Sequence, residues 1–214
     1  MSLKPLKITF QMDGTGVVMY PQNPVHLDSL LAWTLCPRHL IDKGLERNEV
    51  PEIQRLPLGE WHINGYWGWH ASALFPDGEI ESLQYWRKKF RMNRIQMTTG
   101  SPNLMSGKYR EYNMPMPLIL CNTMTAYALG SRKRVAQLLR RIKFIGQKGA
   151  YGKGAVVDVN VEVIDNDWSL SKDGQATRFL PAEDGKRYGR IRPPYWNATE
   201  RINTCYVGDN EVQK

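Results

Sequence analysis

The chain has 214 residues, 42% of them hydrophobic and 23% charged, with a formal net charge of +8. That is the composition of an ordinary globular protein with enough length to bury a core, and no apolar run approaches the roughly 20 residues that span a bilayer. The three cysteines, Cys36, Cys121 and Cys205, are far apart and form no CxxC pair, so a disulfide framework is excluded and reduced thiols in a cytoplasmic protein are expected.

The N-terminus runs directly into a strand pattern, without the apolar core of a secretory signal. In LKITFQM, 6–12, Leu6, Ile8, Phe10 and Met12 alternate with polar residues, which predicts a half-buried strand. Asp13-Gly14-Thr15-Gly16 is turn chemistry. VVMY, 17–20, reads as a short strand stopped by Pro21 and Pro24. Leu27, Leu30, Leu31 and Leu35 recur at helical spacing and predict a buried helix over 27–36, ended by Pro37. His26 and Asp28 stand at its start as capping residues.

EWHINGYWGWHASALF, 60–75, predicts one or two strands with a bulge at Gly65 or Gly68. Its tryptophans, Trp61, Trp67 and Trp69, are expected in the core. IESLQYWRKKFRMNRIQM, 80–97, carries a dense basic cluster; on a helix, Arg87, Arg91 and Arg94 would share a face. Residues 98–117 have the composition of a long loop or flexible hairpin, and 118–130 reads as a further strand ending at Gly130.

SRKRVAQLLRRI, 131–142, is the clearest helix. Ser131 is placed to cap it; Val135, Leu138, Leu139 and Ile142 form its apolar face; Arg140 and Arg141 stay solvated. AVVDVNVEVI, 155–164, is the clearest strand, with Val157, Val159, Val161 and Val163 on one side. The tail over 165–214 has few apolar periods, and arginines and aromatics interleave in RYGRIRPPYW, 187–196.

This order fits one α+β domain over residues 1–214. We expect a ferredoxin-like (RRM-like) βαββαβ core, with a long basic insertion at about 81–115 and a C-terminal extension over 165–214.

Charge is distributed unevenly. Residues 81–154 hold fifteen lysines and arginines against two acids, Glu81 and Glu111. A solvated surface usually mixes its signs, so this stretch points to a polyanion, most often nucleic acid. Between the basic helix and the last strand lies FIGQKGAYGKGAVVDV, with Gly146, Gly149, Gly152 and Gly154 interspersed with lysines. Glycines permit positive φ and close backbone approach, and amides released from a ladder can donate to phosphate. Lys143, Lys148 and Lys153 add charge, and Tyr151 offers a ring for stacking. The phosphate loop GxxxxGK[ST] is absent, and such loops run strand to helix rather than helix to strand. In the insertion, Arg87, Lys88, Lys89, Arg91 and Arg94 alternate with Trp86 and Phe90, whose rings suit either stacking or core packing.

The glycine-rich loop in its helix–loop–strand setting resembles the RAMP superfamily, the RNA-binding proteins of CRISPR systems. LKITFQMDGTGVVMYPQNPVHLDSLLAW and YGRIRPPYW are similar to the smaller backbone subunit, the five-type Cas subunit, of type IV effector complexes. The resemblance covers most of the chain. It implies a non-catalytic subunit that caps the 5′ handle of the guide RNA (crRNA) and packs against the larger filament-forming subunit. It further implies a place beside the large subunit that inspects the motif flanking target DNA, a functional link to a helicase, and a thumb-like hairpin within 81–115. No cofactor, metal or membrane enters this reading.

Two other readings stand beside it. Some relatives of this fold are metal-independent endoribonucleases, for which His26 is the candidate base. A stand-alone single-stranded nucleic-acid binder is the other. His39, His62 and His70 are scattered without ligand spacing, which gives no metal site.

Overall fold

Alternation in the first segment becomes a strand, β1 (Lys4–Met12), in which Leu6, Ile8 and Phe10 are fully buried and Met12 nearly so. The computed structural model describes residues 2–20, 22–36, 55–78, 80–90, 103–195 and 199–206. After β1 come the short β2 (Val17–Val18) and helix α1 (Leu27–Leu35). Then follow β3 (Glu60–Ile63), β4 (Tyr66–Trp69), β5 (Phe75–Pro76), β6 (Ile80–Lys88), β7 (Tyr112–Ile119) and β8 (Thr123–Gly130). Helix α2 (Arg132–Leu139) leads through the glycine-rich segment to β9 (Val156–Val163). Five short strands complete the described residues: β10 (Ser171–Lys172), β11 (Gln175–Ala176), β12 (Leu180–Pro181), β13 (Arg187–Gly189) and β14 (Ile202–Cys205).

The fold is α+β, and its sheets are antiparallel. The central sheet runs in the order β5-β8-β1-β9. Ile8 lies opposite Ala126 on one neighbour and Val161 on the other, and Phe10 opposite Met124 and Val159. One apolar face therefore spans three strands. α1 contributes Leu27 and Leu31 to it, and α2 contributes Val135 and Leu139, all buried with that face in one cluster. Each such side chain stabilises the fold by about 1.5–3 kcal/mol through the area it removes from water. Among the described strands β9 lies at the edge of this sheet. Of its four alternating valines Val161 is buried, while Val157 is 70% exposed.

A second sheet, β2-β7-β6, is built on a hairpin in which Tyr85 faces Pro115 and Trp86 faces Met114. At Arg87 it replaces the helical face drawn for the basic cluster: residues 80–88 are extended, and neighbouring side chains point to opposite faces, while Arg91 and Arg94 lie outside the described residues. The segment 118–130 also divides, its first residues ending β7 and its last forming β8. Gly65 is not a bulge. With Asn64 it makes the two-residue turn joining β3 to β4, both at positive φ. Ser131 occupies the N-cap position of α2, but its side chain makes no capping bond.

The extension folds back over the body. Asp173-Gly174 turns β10 into β11, and β12-β14-β13 form a small sheet. Arg178, wholly buried, ties it down. Its guanidinium donates to Asp28 at the start of α1 (3.2 Å), to the carbonyl of Ala71 (2.9 Å), and to the carbonyls of Trp69 and Ile191. The Tyr195 hydroxyl bridges Arg178 and both Asp28 oxygens at 3.0 Å. Asp28 is thus a buried ion-pair partner rather than a cap, a role its place in the sequence does not disclose.

A candidate nucleic-acid interface

The segment after α2 is held by the protein's own backbone. Ile145 is fully buried, and its amide donates to the Gly154 carbonyl at 2.8 Å. The Gln147 amide donates to Val18 and the Gly154 amide to Gly16. Three of the four glycines answer to these internal contacts. A Cβ at Gly146 would sit 2.7 Å from the Val18 carbonyl oxygen, and one at Gly149 2.8 Å from the Phe144 side chain. One at Gly154 would collide with the carbonyl oxygen of Ile145. Gly152 differs: its φ is +77°, and a Cβ there would meet nothing within 4 Å among the described residues. Close approach by an outside chain is open at Gly152, whereas the others are small because the loop is folded tightly on itself.

The lysines separate in the same way. Lys153 is half-buried, and its ammonium donates to the Thr15 carbonyl at 2.9 Å. The Thr15 hydroxyl returns a bond to the Gly152 carbonyl. Asp13 closes this turn; its carboxyl is held below its ordinary value chiefly by the Thr15 hydroxyl and amide, with Lys153 adding to the effect. Lys148 is half-buried as well, but its ammonium turns to a ring instead of a carbonyl. It adopts the left-handed conformation at φ +65°, and its Nζ lies 4.5 Å from the centroid of the Trp86 ring on β6. Tyr151, 63% exposed, meets the same ring edge-on at 4.3 Å.

Trp86 is fixed from beneath. It packs on Val18, Met116 and Leu118, and its indole N–H donates to the Tyr112 hydroxyl at 2.9 Å. Loop and hairpin thereby share one surface: Trp86, Tyr151, Tyr112 and the Lys148 ammonium. Cross-strand pairing places Lys88 opposite Tyr112, on the Trp86 face. Arg87 occupies the reverse face, where its Nε donates to Asn113 at 2.9 Å and its guanidinium lies 5.4 Å from the Tyr85 ring. Lys89 is exposed just beyond β6, and Phe90 packs against Tyr109 at 5.0 Å. Arg91 and Arg94 lie outside the described residues. Arg140, Arg141 and Lys143 are exposed between α2 and the loop. Sequence reasoning named Lys148 and Tyr151 but not Tyr112, the one aromatic of β7, which no local pattern singles out.

Trp61 and Trp69 are buried, while Trp67 is partly so, with the Arg192 guanidinium 4.4 Å from its ring. His26 is 1% exposed, and neither ring nitrogen has a hydrogen-bond partner among the described residues. It is stacked on Tyr195 at 4.4 Å and meets Phe179 edge-on at 4.8 Å. Burial, with the nearby Arg178 charge, pushes its pKa well below the ordinary value, so the ring is neutral. Among the described residues no group of three His, Cys, Asp or Glu side chains is placed to hold a metal ion.

The chain matches the family described as CRISPR type IV associated protein Csf3 over residues 4–102 and 84–206. No curated protein matches it.

Proposed function

The chain belongs to the family of CRISPR type IV associated protein Csf3, and from that premise we propose that it is a non-catalytic RNA-binding subunit of a type IV CRISPR ribonucleoprotein. In this reading it holds the 5′ repeat-derived handle of the guide RNA and caps the filament of the larger backbone subunit. It lies beside the large subunit that inspects the motif flanking target DNA, and a helicase acts with the assembled complex.

The observation that carries the reading is the junction of Lys148 and Tyr151 with Trp86. Single-stranded RNA is held by cations that follow its phosphates and by rings on which its bases stack. This surface supplies both, on two elements brought together by the fold. The sheet order supports the RAMP assignment. β1, β5, β8 and β9, with α1 and α2 between them, form what we read as the ferredoxin-like βαββαβ unit. The glycine loop then joins its second helix to its fourth strand. We read the β6–β7 hairpin, which lies between β5 and β8 in the chain, as the thumb-like insertion. The burial of His26 favours binding over cleavage, because a general base must reach the proton it removes.

The test is binding of a labelled repeat-derived handle RNA to the purified protein. The wild type binds it, and K148A/Y151A weakens binding by about tenfold or more, since stacking alone is worth roughly 1–3 kcal/mol per base. Equal affinities for the two proteins would remove this surface from RNA binding. Cleavage of the RNA by the wild type would make the protein an enzyme.

A further inference from the structure

Beside the glycine loop lies a cavity of about 760 Å³ that the surface described above does not use. Its walls include Leu30 and Trp33 of α1, Phe144 at the entry to the loop, and Pro194 of the extension; Arg141 and Lys143 are at its rim. Trp33 is 56% exposed and Phe144 45%. Two large rings left half in solvent at the mouth of an apolar cavity are uncommon where no ligand covers them. No carboxylate is among the described residues that line it.

Those features select an occupant. An apolar hollow of this size accepts a flat ring system. A cationic rim without acids accepts that ring only when it is attached to an anion. A peptide or neutral metabolite would use the walls and leave the rim unmatched. The cavity is also continuous with the loop, because Phe144, Gly146 and Gln147 belong to both. A strand of RNA lying along Lys148 and Tyr151 would pass its mouth.

Resting on the RNA-binding reading, we propose that this cavity receives one unstacked nucleotide of the bound single strand, its base against the Trp33 and Phe144 rings and its flanking phosphates on Arg141 and Lys143. Single-stranded RNA is commonly read in this way, with bases splayed out of the stack onto aromatic side chains.

The probes are a 12-nucleotide oligouridine and an abasic ribose-phosphate chain of the same length, with the full-length protein and its W33L/F144L variant. Leucine keeps the apolar packing and removes the rings. The variant is expected to lose about tenfold in affinity for oligouridine, within the range of one base stack, and nothing for the abasic chain. Oligouridine carrying 5-iodouridine is expected to photocrosslink to Trp33 or Phe144. Unchanged oligouridine affinity in the variant, with crosslinks confined to Trp86 and Tyr151, removes the cavity from the RNA path while the reading of the loop stands. A wild-type protein that binds neither oligomer overturns both.

Discussion

The ammonium of Lys148 lies 4.5 Å from the centroid of the Trp86 ring, joining the glycine loop to the inserted hairpin. A cation–π contact at an exposed site contributes only about 0.5–1 kcal/mol. It cannot position the loop; the backbone bonds from Ile145, Gln147 and Gly154 do that. Nor does it neutralise the charge, since a ring face is not a counter-ion. The contact aims a full positive charge across an aromatic platform, and the difference between Lys148 and Lys153 follows from that.

Replacing Lys148 with Ala should reduce the salt dependence of RNA binding. Each phosphate contact on a single strand contributes about 0.7 to the slope of log K against log salt. K148A is expected to lower the slope by that amount. Lys153 is bonded to the Thr15 carbonyl and stands near Asp13, so K153A should change the slope by less than half as much. Binding isotherms at four or more salt concentrations decide this; equal slopes for the two variants would contradict the assignment.

The glycines make a stability prediction that needs no RNA. At Gly154 the chain is at φ +69° and a Cβ collides with backbone; neither defect can relax through a side-chain rotation. G154A should destabilise the protein by more than about 3 kcal/mol. At Gly152 only the strain of φ +77° applies, about 1–2 kcal/mol. Thermal unfolding of the two variants should separate them clearly. G152V should fold and bind RNA more weakly, because its side chain projects where an approaching strand would lie.

How far the sequence discloses this structure depends on how local the cause is. β1 and α2 are written in their own periodicity, in Leu6, Ile8 and Phe10 and in Val135 and Leu139. β7 is not. Pro115 and Pro117 make its segment read as a loop, yet they are two apart on a strand that pairs with β2 only through Leu118 and Ile119. A proline is tolerated where its nitrogen faces an unpaired edge. Residues 80–88 are extended because β7 pairs with them across a long insertion, a non-local cause that the basic cluster conceals. The pairing of Arg178 with Asp28 is equally hidden, whereas the Asp173-Gly174 turn is local chemistry that its own two residues disclose. At the site, the charges of the glycine loop were visible, but not which lysine the fold would turn inward.

The buried ion pair predicts a cycle of opposite signs. Arg178 and Asp28 are both 0% exposed. R178M leaves the Asp28 carboxylate buried without its partner and should cost about 3–5 kcal/mol. Burial already pushes the Asp28 pKa up despite Arg178, so the orphaned carboxyl should take up a proton. D28N/R178M removes the stranded charge and should recover part of the loss. Chemical denaturation of the four proteins measures the coupling, and strict additivity would mean that the pair is not a unit.

His26 predicts the pH dependence. Its folded pKa lies well below the ordinary 6.5, so the unfolded chain binds a proton more readily than the folded one. Its contribution is therefore complete above about pH 6.5 and is lost as pH falls, at about 1.4 kcal/mol per pH unit, until the folded pKa is reached. H26F has no such proton to bind, and a phenyl ring suits a stack between Tyr195 and Phe179 that uses neither imidazole nitrogen. The stability of H26F relative to wild type should rise between pH 6.5 and 5. Asp28, Tyr195 and Arg178 are common to both proteins, so the difference isolates the imidazole. Parallel profiles would show the ring to be solvated.

The two faces of the hairpin predict which substitutions depend on one another. Trp86 touches Lys148 and Tyr151, while Arg87, one residue on, is held by Asn113 and Tyr85 on the reverse face. Contacting residues show interaction energies of about 0.5–3 kcal/mol, and independent sites add to within about 0.5 kcal/mol. In RNA-binding free energies, W86L and K148A should therefore couple, the second substitution costing less once the first is present. R87A and K148A should add. Leucine at position 86 retains apolar contact with Val18, Met116 and Leu118, so a weakened complex would report the lost ring rather than a loosened hairpin. Coupling of similar size in both cycles would mean that the RNA wraps the ribbon and reads both faces together; additivity in both would place Trp86 outside the interface.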